Sequence, residues 1–265
     1  MAKILVTALY DNVKNGGSGG YMNCLIQALK MNKHDVKYSN TPAGLNPKDF
    51  DLCISSHRPQ LSQIANWNLP KVHIMQGFVP QAEHPIPGAT HYVSISPEVQ
   101  AFARAQGYES TVVRQPIFIP GKFKPAVSKD ILFIKNSATK DINWNINKLK
   151  LSNLKIPINT QISRSKMSIT LGRGALETMA IGRPVIIADN RFYQGLIGDG
   201  YVTPENFLEI EKNNFSGRRF RNQATQGWID SELSKYRVGD GKQLREMIIE
   251  YNEATKIAKQ LVDLA

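Results

Sequence analysis

The segment Gly172-Arg173-Gly174-Ala175-Leu176-Glu177 carries the residue types that bind a nucleotide. A glycine turn that opens a helix points its first backbone N–H groups outward, where the helix dipole favours an anion. Arg173 adds a guanidinium suited to a diphosphate, and Gly174 lets the backbone come close to it. Glu177 falls one helical turn further on, on the same side as Arg173, and a carboxylate there can accept both hydroxyls of a ribose. Gly182 ends the helix, and Arg183-Pro184 turns the chain into the next strand. The same pair has a plainer reading as an i,i+4 ion pair worth about 0.3–0.5 kcal/mol. A second cluster, Gly16-Gly17-Ser18-Gly19-Gly20, follows the first apolar run. It reads as a loop between strand and helix, in which Gly17 and Gly19 bring N–H groups to a phosphate or sugar, or as a structural turn. Met22 stands where the last glycine of G-x-G-x-x-G would be, so the dinucleotide fingerprint is absent.

His57 with Arg58, and Glu83 with His84, fall near strand ends and are candidates for acceptor contact or general-base work, with surface or packing roles as the alternative. Cys24 and Cys53 both sit inside apolar runs and form neither a disulfide framework nor a C-x-x-C pair.

Short apolar runs alternating with helical patterns must position these residues. Lys3–Ala8, His34–Tyr38, Asp51–Ser55, Val72–Met75, Tyr92–Ile95 and Thr111–Val113 read as strands. Tyr21, Cys24, Leu25, Ala28 and Leu29 have helical spacing. Ser96-Pro97-Glu98 caps a helix that stops at Gly107. Such alternation predicts an α/β fold with a parallel sheet, whose ligands sit beyond the carboxyl ends of the strands. Gln115–Pro125, with three prolines and a glycine, reads as an extended linker. A second α/β series follows, with strands at Ile131–Ile134, Leu154–Ile158, Met167–Thr170 and Val185–Ala188. Residues 241–265 form one long helical pattern with Leu244, Ile248, Tyr251, Ile257 and Leu261 inward. The domains expected are 1–120, 121–240 and a terminal helix at 241–265.

The chain has 265 residues, enough to bury real cores without staples. Its formal net charge is +11, which points to a polyanionic partner or surface. Residues 127–166 hold Lys129, Lys135, Lys140, Lys148, Lys150, Lys155, Arg164 and Lys166 against only Asp130 and Asp141. No apolar stretch reaches the roughly 18 residues of a membrane span. The first residues run directly into a strand without a signal-peptide layout, so a soluble, reduced, cytoplasmic protein is expected.

The run Leu176–Val185 resembles the nucleotide-sugar signature of GT-B glycosyltransferases, particularly the retaining group 1 family, whose Glu-Ala-Met-Ala-x-Gly-x-Pro-Val motif it matches nearly throughout. Lys33-His34-Asp35-Val36, Tyr92–Ser96, Gln115-Pro116, Phe123-x-Pro125 and Gly198–Val202 resemble other family segments in the same order. The resemblance implies two Rossmann-like domains facing across a cleft, with the C-terminal helix crossing back. It also implies a nucleotide-sugar donor, UDP-linked in this reading, bound on the second domain, with Glu177 on its ribose. Lys135 or Lys140 would stand for the family lysine that stabilises the departing diphosphate. No metal or other cofactor is implied, and the histidines show no H-x-x-x-H spacing. The chain departs from the family at Ile169, where a sugar-binding glutamate often stands.

Compactness and basic charge resemble the bacteriophage enzymes that glycosylate 5-hydroxymethylcytosine with hexose or arabinose. The expected partner is therefore duplex DNA in a phage-infected cytoplasm. The basic face 127–166 and Arg218, Arg219 and Arg221 would hold its backbone, and the target base would be flipped out. Two alternatives are a transferase serving a lipid or glycan acceptor at a membrane surface, and a non-transferring epimerase or nucleic-acid binder of the same fold.

Overall fold

The computed structural model describes residues 1–9, 16–123, 126, 128–134, 144, 145, 157–189, 191 and 195–265. The chain divides into two compact units, Met1–Pro116 with Asn252–Ala265, and Ile117–Tyr251.

The first unit runs β1 (Lys3–Thr7), α1 (Gly16–Met31), β2 (Asp35–Tyr38), β3 (Leu52–Ser56), α2 (Arg58–Ile64), β4 (Lys71–Met75), β5 (His91–Ser94), α3 (Pro97–Ala105) and β6 (Thr111–Val112). Its sheet is parallel throughout, in the order β2-β1-β3-β4-β5-β6. β3 and β4 are buried at every position, as strands covered on both faces must be. The α3 cap forms as the sequence predicts, with the Ser96 hydroxyl accepting the Val99 N–H. The glycine cluster differs from expectation: Gly16–Gly20 is the first turn of α1, not a loop. Glycine lowers helix stability by about 1 kcal/mol per residue. The burial of Tyr21, Met22, Leu25, Ala28 and Leu29 on one face of α1 offsets that cost.

The second unit runs β7 (Ile131–Phe133), α4 (Ile158–Arg164), β8 (Met167–Thr170), α5 (Arg173–Ile181), β9 (Val185–Asp189), β10 (Ile197–Tyr201), α6 (Phe207–Glu211), β11 (Asn222–Gln223), α7 (Gln226–Ser234) and α8 (Asp240–Asn252). The sheet order is β11-β10-β9-β8-β7. Along β9 the side chains alternate between two cores. Val185 and Ile187 pack with α5 and α8 through Leu176, Met179, Leu244 and Ile248. Ile186 and Ala188 pack with Trp144, Ile169, Tyr201 and Ile229.

Three expectations are corrected here. Of the strand expected at Leu154–Ile158, 154–156 lie outside the described residues and Ile158 begins α4. β10, which the sequence did not single out as a strand, pairs with β9 antiparallel. The connection between them, 190–196, is too short for a helical crossover, which takes about a dozen residues or more. The terminal helix is two helices, because Glu253 leaves helical geometry and its carboxylate caps α9 (Ala254–Asp263) by accepting the Thr255 and Lys256 N–H groups. α9 then belongs to the first unit, with Asn32 Nδ2 donating to the Thr255 carbonyl at 2.9 Å. Residues 117–121 are not a loose linker either. Ile117 is buried in the second unit's core, and the buried Arg245 guanidinium donates to the Pro120, Gly121 and Ala180 carbonyls.

Gly182 caps α5 in the left-handed conformation, with φ 86°. At this point α8 approaches so closely that a Cβ on Gly241 would lie 2.4 Å from the Gly182 carbonyl oxygen. Gly241→Ala should lower the unfolding free energy by about 1–3 kcal/mol, as overpacking does. Urea denaturation checks this, and an unchanged midpoint would contradict the close approach.

Candidate functional site

In the first unit β2 lies on one side of β1 and β3 on the other, so the strand order reverses between β1 and β3. Ligands of open parallel sheets bind at such a point, beyond the carboxyl ends. His57 follows β3 there, in a left-handed conformation with φ 77°. Its ring is buried, and Nδ1 accepts the Leu9 N–H at 3.4 Å. Burial pushes the imidazole below its ordinary pKa, against a smaller opposite effect from the Ser56 backbone. Its Nε2 is buried as well.

Glu83 ends a 3-10 turn, Gln81–Glu83, and is only 9% exposed. Ser18, in the first turn of α1, donates to Oε1 at 3.2 Å. The other oxygen, Oε2, lies 2.5 Å from where a Cβ on Gly77 would stand, so a larger residue there would push the carboxyl aside. Burial pushes Glu83 up to about 7, and the Ser18 hydrogen bond pulls in the opposite direction. A carboxyl tuned to that range is suited to take a proton from a hydroxyl. Gln76 Nε2 donates to Ser56 Oγ at 3.0 Å on the same strand ends. His84 is a packing residue, bonded through Nε2 to the Phe78 carbonyl at 2.8 Å and tilted on the Phe102 ring. Sequence reasoning passed over His73 inside β4. It is fully buried, shares a 2.9 Å hydrogen bond with Ser55 Oγ, and is pushed down to about 3 by burial and then by His57.

Gly17 and Gly19 both lie in the first turn of α1, close to Ser18. Gly17 is exposed, with nothing within 4 Å of an added Cβ, and Gly19 is buried. They therefore belong to the Glu83 neighbourhood rather than to a separate loop.

In the second unit the carboxyl end of β8 leads through Gly172, with φ 55°, into α5. A Cβ on Gly174 would lie 2.6 Å from Thr170 Oγ1, so the helix start sits directly against the strand end. Arg173 Nε donates to Glu177 Oε1 at 2.9 Å, with side-chain exposures of 10% and 28%. The ion pair therefore forms, and it fixes the Glu177 carboxylate one turn from the helix N-terminus. Ile169 is fully buried in the core on β8, so no side chain at that position reaches a sugar.

The Gly172 N–H donates to the Phe215 carbonyl at 2.7 Å, which fastens a second segment to this turn. That segment continues into Arg218-Arg219-Phe220-Arg221. Arg219 pairs with Glu209, and Arg221 and Phe220 are exposed. Lys135, Lys140, Lys148 and Lys150 lie outside the described residues, as does most of 127–166. Among the described residues no three His, Cys, Asp or Glu side chains gather as a metal site, and no helix is long and apolar enough to cross a membrane.

No protein-family model matches the sequence, and no curated protein is similar to it. Solved structures match along the whole chain. HepE (Alr3699) of Anabaena, solved in complex with UDP-glucose, aligns with a TM-score of 0.64 and 12% identity over 100% of this chain and 99% of its own. AviGT4, a glycosyltransferase involved in avilamycin A biosynthesis, aligns with a TM-score of 0.57 and 13% identity over 99% and 96%. The calicheamicin glycosyltransferase CalG4 gives 0.51 and 11% over 99% and 98%. The chain has the GT-B fold. The α5 turn lies in the unit that the resemblance assigns to the donor, and the Glu83 cluster in the other unit.

Glu83 links this site to stability. Its folded value of about 7 lies above the ordinary 4.5. The folded state thus holds a proton between these values that the unfolded chain has released, and stability falls as pH rises through about 7. Glu83→Gln should therefore be more stable than the parent at pH 8, by up to about 3 kcal/mol, and no more stable at pH 4. Urea midpoints at the two pH values check this, and a gain independent of pH would contradict it.

Proposed function

We propose that this protein is a glycosyltransferase that moves a sugar from a UDP-sugar to an acceptor hydroxyl. The observation that carries the reading is the Arg173–Glu177 pair at the glycine-opened start of α5, on the carboxyl edge of a sheet with the GT-B fold. The first-turn N–H groups of α5 would hold the diphosphate, and the positioned Glu177 carboxylate would hold the ribose hydroxyls. HepE, with the same fold, was solved with UDP-glucose, which supports the donor class. The acceptor oxygen would form a bond to the anomeric carbon as the bond from that carbon to the phosphate oxygen breaks. UDP would depart with the electron pair towards the helix N-terminus. Glu83 would take the acceptor's proton, and His57 on the same strand-end edge is the other candidate for acceptor contact.

The acceptor we propose is DNA carrying 5-hydroxymethylcytosine. The net charge of +11, concentrated in 127–166, supports a polyanion. A lipid or glycan acceptor at a membrane surface remains the second reading, because the same charge suits anionic lipid.

The first assay incubates the protein with a panel of UDP-sugars, with and without duplex DNA containing 5-hydroxymethylcytosine, and reads nucleoside masses. A mass gain on the modified cytosine is expected. UDP release without that gain would keep the transferase and turn the acceptor search to lipids and glycans. Silence on every donor would overturn both. Glu177→Ala should abolish turnover chiefly by weakening UDP-sugar binding, and Arg173→Ala should weaken UDP more than uridine, both read by calorimetry. Unchanged donor affinity in Glu177→Ala would remove the ribose role. Charge reversal at Lys148 and Lys150 should flatten the salt dependence of DNA binding by about one unit of slope for each phosphate that is no longer neutralised.

A further inference from the structure

The loop 217–221 is built to present side chains and to hide its backbone. Asp199 is the extra residue of a β-bulge in β10, where the register with β9 shifts between Gly198 and Gly200. It is buried, and its carboxylate accepts the Gly217 N–H at 2.9 Å through Oδ2 and the Phe220 N–H at 2.8 Å through Oδ1. The Arg219 and Arg221 N–H groups also bond to it, so a single buried carboxylate gathers four donors of one loop. Arg221 holds a left-handed φ of 56°, which turns the chain back into β11. With its amides tied inward, the loop projects Phe220, 46% exposed, between Arg218 and Arg219 on one side and Arg221 on the other. Glu209 pairs with Arg219, and Arg218 and Arg221 add two further guanidinium groups to the same run. An exposed phenyl ring in a run of arginines, on a loop whose amides are tied to Asp199, suits a base lifted out of its stack, with the neighbouring phosphates on the arginines. The same segment is tied to the α5 turn by the Gly172–Phe215 hydrogen bond, so the ring lies five residues along the chain from the candidate donor site.

We propose that Phe220 stacks on an unpaired or extruded base of a nucleic acid whose flanking phosphates Arg218 and Arg221 hold, and that Asp199 is the positioning residue that keeps this loop in shape. The proposal rests on the DNA reading of the acceptor given above. It goes further in naming the element that meets the displaced base.

The test uses the full chain and 20-base-pair duplexes, with a matched or a mismatched central pair and 2-aminopurine beside it, read by anisotropy and by 2-aminopurine emission. The parent protein should bind the mismatched duplex more tightly than the matched one and change the 2-aminopurine emission. Phe220→Ala should erase both the preference and the emission change, while Phe220→Trp keeps them. Arg221→Ala should weaken both duplexes alike and lower the salt slope by about one. Asp199→Asn keeps the shape and one acceptor oxygen but loses the charge, and it should reduce the mismatch preference about tenfold, as loss of charge-assisted hydrogen bonds does. A preference that survives Phe220→Ala would overturn the stacking role. Binding of the parent to anionic phosphatidylserine vesicles but to neither duplex would overturn it in favour of a membrane surface. UDP affinity measured on the same samples separates the two readings. UDP bound with no duplex preference defeats this inference alone, and neither ligand bound defeats the transferase reading as well.

Discussion

The second unit depends on where the Gly172 amide goes. A glycine turn between a strand and a helix leaves its N–H groups with no partner inside the helix, and something must answer them. Here the Gly172 N–H is given to the Phe215 carbonyl, while Ala175 and Leu176 donate back to the Gly172 carbonyl and start the helix. One 2.7 Å hydrogen bond thus sets the entry angle of α5 and anchors the segment that becomes the arginine loop. Asp199 completes the arrangement from the neighbouring strand. Its carboxylate is stable in a buried place because backbone donors surround it, even though burial pushes its pKa up. The extra residue of the β-bulge in β10 is Asp199 itself, so the register shift fixes the place of a carboxylate.

The first unit answers a different constraint, the burial of ionisable groups at a sheet edge. His57, His73 and Glu83 are all drawn towards their neutral forms by desolvation, so the edge carries little charge at neutral pH. A carboxyl at Glu83 poised near pH 7 can exchange a proton where a fixed charge cannot. Burial of Glu83 beside Gly77 raises its pKa, and the Ser18 hydrogen bond that holds the carboxyl offsets part of that rise.

Much of this could be read from the sequence, for reasons visible in particular residues. The strands of the first unit are continuous apolar runs ended by polar residues, and a sheet buried on both faces writes itself that way. The cap at Ser96-Pro97 and the stop at Gly182 use backbone chemistry that few residue types perform. The antiparallel β10 was not legible, because Gly198-Asp199-Gly200 has little strand propensity and its partner is chosen by the length of the preceding connection. The break at Glu253 was passed over in the run Leu244, Ile248, Tyr251, Ile257 and Leu261, although the six-residue step from Tyr251 to Ile257 does not keep one helix face. The sequence names Glu83 but not its environment, since Ser18 and Gly77 are distant in the chain. His73 looks like any residue of a buried strand until its neighbours are known.

The return of α9 to the first unit bears on how the molecule comes into being on the ribosome. Residues 252–265 are translated after all of the second unit, yet Ile257, Ala258 and Leu261 fill the face that α1 presents. The unit begun first is therefore finished last. Until its closing helix emerges, the apolar flank of α1 stays open to solvent and to chaperones. The second unit, continuous from Ile117 to Tyr251, has no such wait. In this chain the order of synthesis and the order of completion run in opposite directions.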